Sequence, residues 1–457
     1  MGRRWSNECF LLTEYHEFLA THIAGTDKRP KRVRVVPTVL FLLSTGLSTA
    51  CSPSGPPATG PIVVRVWHQK DAAERGFLDE AVARFNASQD SIRIETLYKE
   101  TEELRNHYVF AAVGGRGPDL VYGPADNVGT FGVTETIRPL DDLLPAPFIA
   151  GFEADGLLRW EGRLVGVADQ VGNHLMLVYR RDMMPEPPGT FAELIETGAS
   201  IARDENGDGR PDKYALTWNY TEPFFFIPFL TAFGGWVMDD AGNPTLDNQS
   251  TIDAIRFVLD LRDRYHLIPR ENDYETVKML FREGDAASVI DGPWSWAGYG
   301  EAGVDYALAP LPFNEATGLW AQPMMAAKVY SLNPAVPDWR LPSTLVVLEY
   351  LTGARIQAQM AERLATIPVI TAVRESDVMT ANPRLQESLA QIEHARPMPV
   401  EPQMRQIWDA MRGPYQLVMN GQISPEEAAE LMQQAAERRI ADTFLRGGSS
   451  QSVVSSR

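Results

Sequence analysis

Aromatic rings sit beside carboxylates and amides at three places in this chain. Residues 284–298 read GDAASVIDGPWSWAG: a short apolar run, Ala286 to Ile290, leads into Asp291-Gly292-Pro293 and then Trp294 and Trp296. The Gly-Pro pair forces a turn directly after the run. Two tryptophans just past a strand end either pack into a core or face a cleft, and composition by itself favours the core, because large aromatics mostly serve burial. A second cluster is Glu222-Pro223-Phe224-Phe225-Phe226, where packing is the plain reading and Glu222 supplies a polar handle. A third is Trp408, within Gln406-Ile407-Trp408-Asp409 on an expected helix. A pyranose asks for this mixture. Its CH faces lie on aromatic rings, and its hydroxyls bond to carboxylates and amides, with charge-assisted bonds fixing the orientation.

Other chemistries find less support. The only cysteines are Cys9 and Cys51, ahead of any foldable core, so thiol nucleophiles, cysteine-based zinc sites and disulfides are excluded from the rest of the chain. Seven histidines are scattered with no HxxxH or HxH pair, which argues against a metalloenzyme; His174 reads as a polar cleft or surface residue. A glycoside-acting enzyme would need paired carboxylates, and no pair stands out at a strand end. One acidic stretch, Asp204-Glu205-Asn206-Gly207-Asp208-Gly209-Arg210-Pro211-Asp212, places Asp204, Asn206, Asp208, Arg210 and Asp212 at alternating positions around a glycine bend. This spacing suits a hard cation, but Ala215 stands where a closing glutamate belongs. The choice is between a partial, structural calcium loop and a plain Asn/Asp/Gly turn.

The elements that must position these side chains follow from periodicity. Pro61 to Trp67 is a β-branched strand; Ala72 to Ala87 carries Phe77, Leu78, Ala81, Val82 and Phe85 at helical spacing; Ile92 to Leu97 is a second strand. Glu102 to Val113 reads as a helix and Asp119 to Tyr122 as a third strand, so the start of the chain alternates as a parallel sheet with helices on its faces does. Further helices are expected over Thr251 to Tyr265, Leu345 to Tyr350, Pro383 to Ile392 and Pro425 to Thr443, the last opened by Ser424 as N-cap and Pro425 in the first turn. A chain of 457 residues exceeds what one core usually supports, so two lobes are expected. The formal charge of -18 repels nucleic acid and anionic headgroups and otherwise serves solubility.

The first 61 residues read as an address. Lys31, Arg32 and Arg34 precede an uncharged apolar stretch, Val35 to Leu47, too short to span a bilayer but suited to a signal-peptide core. Ser48-Thr49-Ala50-Cys51 follows, and Ser52 to Pro61 is a Ser/Pro/Gly tether. The Cys51 context resembles a bacterial lipoprotein signal, implying lipidation of Cys51, although Leu47 lies one place earlier than that pattern has its leucine. Residues 1–50 are thus a signal segment, with an early-assigned start accounting for the first thirty, and residues 447–457 a frayed tail.

Between these ends the chain resembles maltose-binding protein and its relatives, the extracellular solute-binding proteins of sugar ABC transporters. The likeness runs over about positions 62 to 443. It is carried by DGPWSW at 291–296, EPFFFIPFLTAFGGW at 222–236 and MPVEPQMRQIWDAM at 398–411, with GRGPDLVYGPADN at 115–127, VYRRDMMPEPPGTFAEL at 178–194 and ANPRLQESLAQIEHARP at 381–397 in support. The resemblance implies an α/β, two-lobed periplasmic-binding-protein-like fold. Each lobe is a mostly parallel sheet flanked by helices: 62–171 with 325–373, and 176–320 with 376–446, the chain crossing between them several times. It implies a sugar bound between the lobes, stacked on Trp294 and Trp408. Glu222, Phe224, Asp126 and Trp67 would contact it, Lys70 and Asp71 would add polar contacts near Gln69, and Asn127 and Asn173 would stand where the family has an arginine and a glutamate. Phe224 lacks the family's tyrosine hydroxyl and Gly123 its tryptophan, so the resemblance implies the same ligand class with a different or longer sugar. It further implies a monomeric, extracytoplasmic protein that needs no cofactor, does no chemistry on the sugar, binds no nucleic acid, and hands its ligand to ABC permease subunits. A sensory membrane receptor is the alternative partner.

Overall fold

The computed structural model describes residue 55, residues 60–207 and residues 211–451. The signal segment, Cys51, and Asp208 and Arg210 of the acidic loop lie outside these residues. β1 (Ile62–His68), β2 (Ile92–Tyr98), β3 (Leu120–Pro124), β4 (Leu157–Trp160) and β5 (Arg163–Gly172) enter a first sheet. β6 (Met176–Arg180), β7 (Tyr214–Thr217), β8 (Ala286–Asp291) and β9 (Tyr306–Ala309) form a second. A small hairpin, β10 (Phe313–Asn314) with β11 (Leu319–Trp320), leads to β12 (Met324–Leu332), which rejoins the first sheet and pairs with β13 (Arg396–Pro397). The strand orders are β2-β1-β3-β12-β5-β4 and β7-β8-β6-β9.

Both sheets share a rule of direction. β1, β2 and β3 are mutually parallel, and β5 agrees with them because both β3 and β5 run antiparallel to β12. In the second sheet β7, β8 and β9 agree, and β6 runs against its neighbours β8 and β9. The parallel sheet expected from sequence is therefore interrupted in each case by the strand that first enters it from the other sheet, β6 and β12. β4 adds one more reversal through its short turn to β5. A chain arriving from the opposite sheet enters at the end where the outgoing strands finish, and so must run back.

Local chemistry accounts for the elements. β8 is buried along its whole length and reads as a continuous small and apolar run, the signature of a strand covered on both faces. The Ala72–Ser88 helix is capped by Asp71, whose carboxylate accepts from Ala72 N at 2.7 Å, and it buries Phe77, Leu78, Ala81, Val82 and Phe85. The Tyr274–Glu283 helix starts from Asp273, which accepts from Thr276 N at 2.8 Å, and stops at Gly284 in the left-handed region. One core gathers Val64, Val66, Tyr122, Val167 and Tyr330 around the first sheet; another gathers Leu177, Trp218, Phe226, Phe229, Ile255, Ile407 and Met411 around the second. Between β5 and β6 the chain crosses through Gly172 and Asn173, both at positive φ, 119° and 41°. Glycine takes this conformation freely and asparagine is among the few other residues that tolerate it.

Candidate functional site

A cleft of about 520 Å³ opens where strands of both sheets end. This is within the usual range for small-molecule sites, about 300–1,000 Å³. From the first sheet come Gln69 and Asp71 beyond β1, Tyr98, Glu100, Thr101 and Glu102 at and after the end of β2, Asp126 beyond β3 and Lys328 from β12. From the second come Asn219, Thr221, Glu222, Phe224 and Phe225 beyond β7, Trp294 beyond β8, and Tyr274 and Lys278 on the helix that precedes β8. Arg405, Trp408 and Arg412 descend from the Pro402–Met419 helix, and Asn173 from the crossing. Carboxyl ends of parallel strands are where an open α/β sheet leaves a crevice, since the loops there diverge.

Three rings form a platform in this cleft. The Phe224 centroid lies 6.3 Å from those of both Trp294 and Trp408. Composition left the clusters at 222–226 and 294–296 divided between core and cleft, and the fold divides each within itself. Phe225 and Phe226 are buried while Phe224 is half-buried beside the tryptophans. Trp296 is fully buried, edge-on to His174, while Trp294 lines the cleft. Pro293 opens the helix that follows, so Trp294 and Trp296, two residues apart, leave it on different sides. The Trp294 ring packs closely against Gly292, and its indole N–H donates to the Tyr274 hydroxyl.

The polar atoms complement the platform. Asp126 is nine-tenths buried and its Oδ1 has no partner among the described residues; Gln69 Oε1 is in the same state. Burial pushes the Asp126 carboxyl above its usual range, against the pull of Arg105 and Arg405. Six carboxylates line the cleft (Asp71, Glu100, Glu102, Asp126, Glu222 and Glu275) against five cations. Each cation already has a carboxylate within 3.4 Å: Arg105 has Glu102, Lys278 has Asp71, Lys328 has Glu74, Arg405 has Asp409 and Arg412 has Glu222. A cleft with unspent acceptors and fully engaged cations suits a neutral, hydroxyl-rich ligand.

Seven of the ten residues expected in the site meet there: Asp71, Asp126, Asn173, Glu222, Phe224, Trp294 and Trp408. The structure places Lys70, Asn127 and Trp67 elsewhere. Lys70 is buried with its ammonium 2.7 Å from Asp169 and over the Tyr122 ring, because a lysine at the end of an inner strand needs a buried counter-charge. Asn127 is buried, accepts from Arg105 at 3.2 Å, and fills the space above Gly123, where a Cβ would stand 2.7 Å from its amide nitrogen. The two departures at 123 and 127 are thus one packing unit. Trp67 is partly buried against the first core with the Lys99 ammonium over its ring. His174, read from sequence as a cleft or surface residue, is fully buried, 3.1 Å from Ser388, and burial lowers its pKa to about 3. In the acidic loop, Asp212 accepts from Glu205 N, Asn206 N and the Asn206 side chain, and Asp204 accepts from Gly207 N. Among the described residues no cluster of three or more His, Cys, Asp or Glu could hold a metal ion.

Several lining residues escaped the sequence reading. Arg405, Trp408 and Arg412 follow helical spacing, so the choice of Trp408 already implied its neighbours on that face. Lys328 interrupts the apolar run MMAAKVYSL, a charge that a buried strand must neutralise, here with Glu74 at 3.1 Å. Tyr274 and Lys278 carried no comparable signal.

Comparison with known proteins agrees with this geometry. The family model of bacterial extracellular solute-binding proteins matches residues 80–387. The chain belongs to that family. The solute-binding protein resembles, at 40% identity and a TM-score of 0.81, the maltose/maltodextrin-binding domain of Bdellovibrio bacteriovorus solved with maltotriose; the match covers 83% of this chain and all of that one. It is 24% identical over 359 residues to the maltotriose-binding protein of Pyrococcus abyssi, covering 77% of this chain and 76% of the relative. A maltooligosaccharide ABC transporter solute-binding lipoprotein of Streptococcus pneumoniae is 22% identical over 426 residues, 88% of this chain and 96% of the relative. The chain is accordingly a two-sheet α/β extracellular solute-binding protein. No helix among its described residues is long and apolar enough to cross a membrane.

Proposed function

We propose that this protein captures a neutral oligosaccharide of the maltodextrin class between two lobes and delivers it to ABC permease subunits as a monomer tethered through lipidated Cys51. The observation that carries the reading is the Trp294–Phe224–Trp408 platform flanked by the unpartnered acceptors of Asp126 and Gln69. A glucosyl ring laid on the platform offers its CH face to the rings and its hydroxyls to those acceptors. The lobes, 62–171 with 325–373 and 176–320 with 376–446, would close by rotation at crossings such as Gly172–Asn173, where backbone at positive φ forms a short joint. Ligand touching both lobes stabilises the closed form by its differential affinity. Asp204 and Asp212 of the acidic loop serve, on this reading, to hold the backbone of residues 205–207 and have no part in capture.

Isothermal titration of the protein with maltose, maltotriose, longer maltodextrins, cellobiose and xylobiose tests the proposal. Saturable binding of the α-linked glucosides, with the sugar recovered intact, is expected. Binding of none of them, or preference for the β-linked sugars, overturns the assignment; recovery of cleaved sugar overturns the binding-only role.

A further inference from the structure

The first sheet has a second cavity, at the end away from the cleft. It measures about 320 Å³ and is lined by Arg65 on β1, by the 115–119 loop that leads into β3, and by Asn333, Trp339 and Arg340 beyond β12. β3 begins at Leu120, directly after that loop, and Asp126 of the cleft lies beyond its other end, so a strand length of about 16 Å separates the two. Buried polar groups build the cavity. The Asn333 amide donates to the carbonyls of Arg116 and Pro118, both at 2.9 Å, and its oxygen accepts from Ala335 N at 2.9 Å. This holds the loop, which turns through Gly115 and Gly117 at φ 68° and 103°, against the end of β12. The buried Asp119 carboxylate accepts from Arg65 N at 2.8 Å and from Arg340 Nη1 at 2.9 Å, so both of its oxygens are occupied and Arg340 is fixed in place. The Arg340 guanidinium in turn lies over the Trp339 ring, 4.8 Å from its centroid.

What these bonds leave over is all of one kind. The indole N–H of Trp339 and the Nε–H of Arg340 are buried with no acceptor among the described residues. The exposed Arg116 side chain has no partner among them either, and Arg65 Nε comes within only 4.0 Å of Glu95, itself half-exposed. Three guanidiniums and one carboxylate line the cavity, a surplus of two positive charges. The cleft has unspent acceptors; this cavity has unspent donors, and a buried donor without an acceptor is costly. The overall charge of -18 does not cancel this, because charges farther than about 8 Å are screened at physiological ionic strength. A tetrahedral oxyanion answers the set. A carboxylate has two oxygens in one plane, which a single guanidinium fork can take, whereas a phosphate offers oxygens in several directions to donors arriving from separate elements.

We propose that this cavity binds a phosphate group, of a free phosphate ion or of a lipid headgroup, through Arg65, Arg116, Arg340 and Trp339. The headgroup is a candidate source because β1 starts at Ile62 at the same end of the sheet, so the segment leading back to Cys51 leaves the domain there. The site stands apart from sugar capture, and maltotriose titration of the same variants decides that reading separately. Inorganic phosphate titrated calorimetrically into the full chain, in Hepes with 0.15 M chloride at pH 7.5, should bind saturably with a Kd of about 1 mM or tighter. Arg116→Gln and Arg65→Gln should each raise that Kd about tenfold. Trp339→Phe, which keeps a ring and removes the donor, should raise it severalfold. Arg363→Gln, an exposed arginine outside the cavity that pairs with Glu80, should leave it unchanged. Co-sedimentation with phosphatidylcholine vesicles containing phosphatidic acid, lost in Arg116→Gln, assigns the phosphate to a headgroup; saturable phosphate binding without co-sedimentation assigns it to the free ion. Absence of saturable heat up to about 20 mM phosphate, as from a cavity that holds only water, overturns the site. Equal weakening by Arg363→Gln, or an unchanged Kd in both Arg65→Gln and Arg116→Gln, overturns it as well.

Discussion

Gly292→Ala moves the platform without altering its chemistry. Gly292 has φ −113° and ψ 177°, extended backbone that alanine adopts without strain, and the amide that bonds to Asp291 at 2.8 Å is retained. A Cβ at this position, however, would stand 2.1, 2.2 and 2.6 Å from three carbons of the Trp294 ring. Carbon atoms rest at about 3.5–4.0 Å, so the ring must retreat by about 1.4 Å or more. That displacement breaks the bond from the Trp294 indole to the Tyr274 hydroxyl, a loss of about 1 kcal/mol of positioning. It also tilts the face offered to the sugar: uncovering about 50 Å² of ring at about 25 cal/mol per Å² removes a further ~1.2 kcal/mol. Together these predict a Kd for maltotriose raised about ten- to fiftyfold. Calorimetric titration, with thermal unfolding as the control for stability, measures it; Trp294→Ala should weaken binding at least as much. A Gly292→Ala protein that binds maltotriose within twofold of the parent would falsify the view that Trp294, packed against Gly292, is the stacking surface.

Other consequences are equally direct. Lys70→Met leaves Asp169 buried without its counter-charge and should cost about 3–5 kcal/mol in denaturant unfolding while the folded protein binds sugar with little change; a large loss of affinity at unchanged stability would return Lys70 to the site. His174 and His68 are held neutral by burial, with pKa values lowered to about 3 and about 4 from the ordinary 6.5. The unfolded chain therefore takes up protons that the native state refuses, and the stability these groups contribute above pH 6.5 is lost as pH falls toward 4, at about 1.4 kcal/mol per pH unit for each. Asp291, raised by burial to about 6, works in the opposite sense between 3.8 and 6. Denaturant titrations at pH 7, 6 and 5 should show His174→Gln flattening the acid loss and Asp291→Asn steepening it; an unchanged slope for both rules out these assignments. Dialysis against EDTA should leave maltotriose affinity within twofold, because Asp204, Asn206 and Asp212 bond within the acidic loop and none of the three lines the cleft.

Much of this architecture was legible in the residues. Short-range physics defined the strands and helices of the first 124 residues, the cap and proline of the last helix, and the turn at Gly292-Pro293, because caps, turns and apolar spacing act over a few residues. The rings that line the cleft were readable through the family resemblance, which named Phe224, Trp294 and Trp408. What composition left open was which member of each aromatic cluster faces the cleft; the family resemblance pointed to Phe224 and Trp294, and the fold sets both there. Trp294 and Trp296 differ only in the side of the helix start from which they leave, and that side has meaning only once β8 is covered on both faces. Strand direction was likewise undecided: β6 and β12 run backward because each follows a crossing between sheets, a fact no local pattern encodes. Lys70 and Lys328 make the point most sharply. Lys70 lies two residues beyond β1 and Lys328 within β12, yet Lys70 is spent on Asp169, 99 residues away, and Lys328 reaches the cleft wall on the strength of Glu74, 254 residues away. Residue type determined that each needed a buried counter-charge; only the tertiary fold, by bringing distant carboxylates within bonding distance, decided which one remained at the ligand's side.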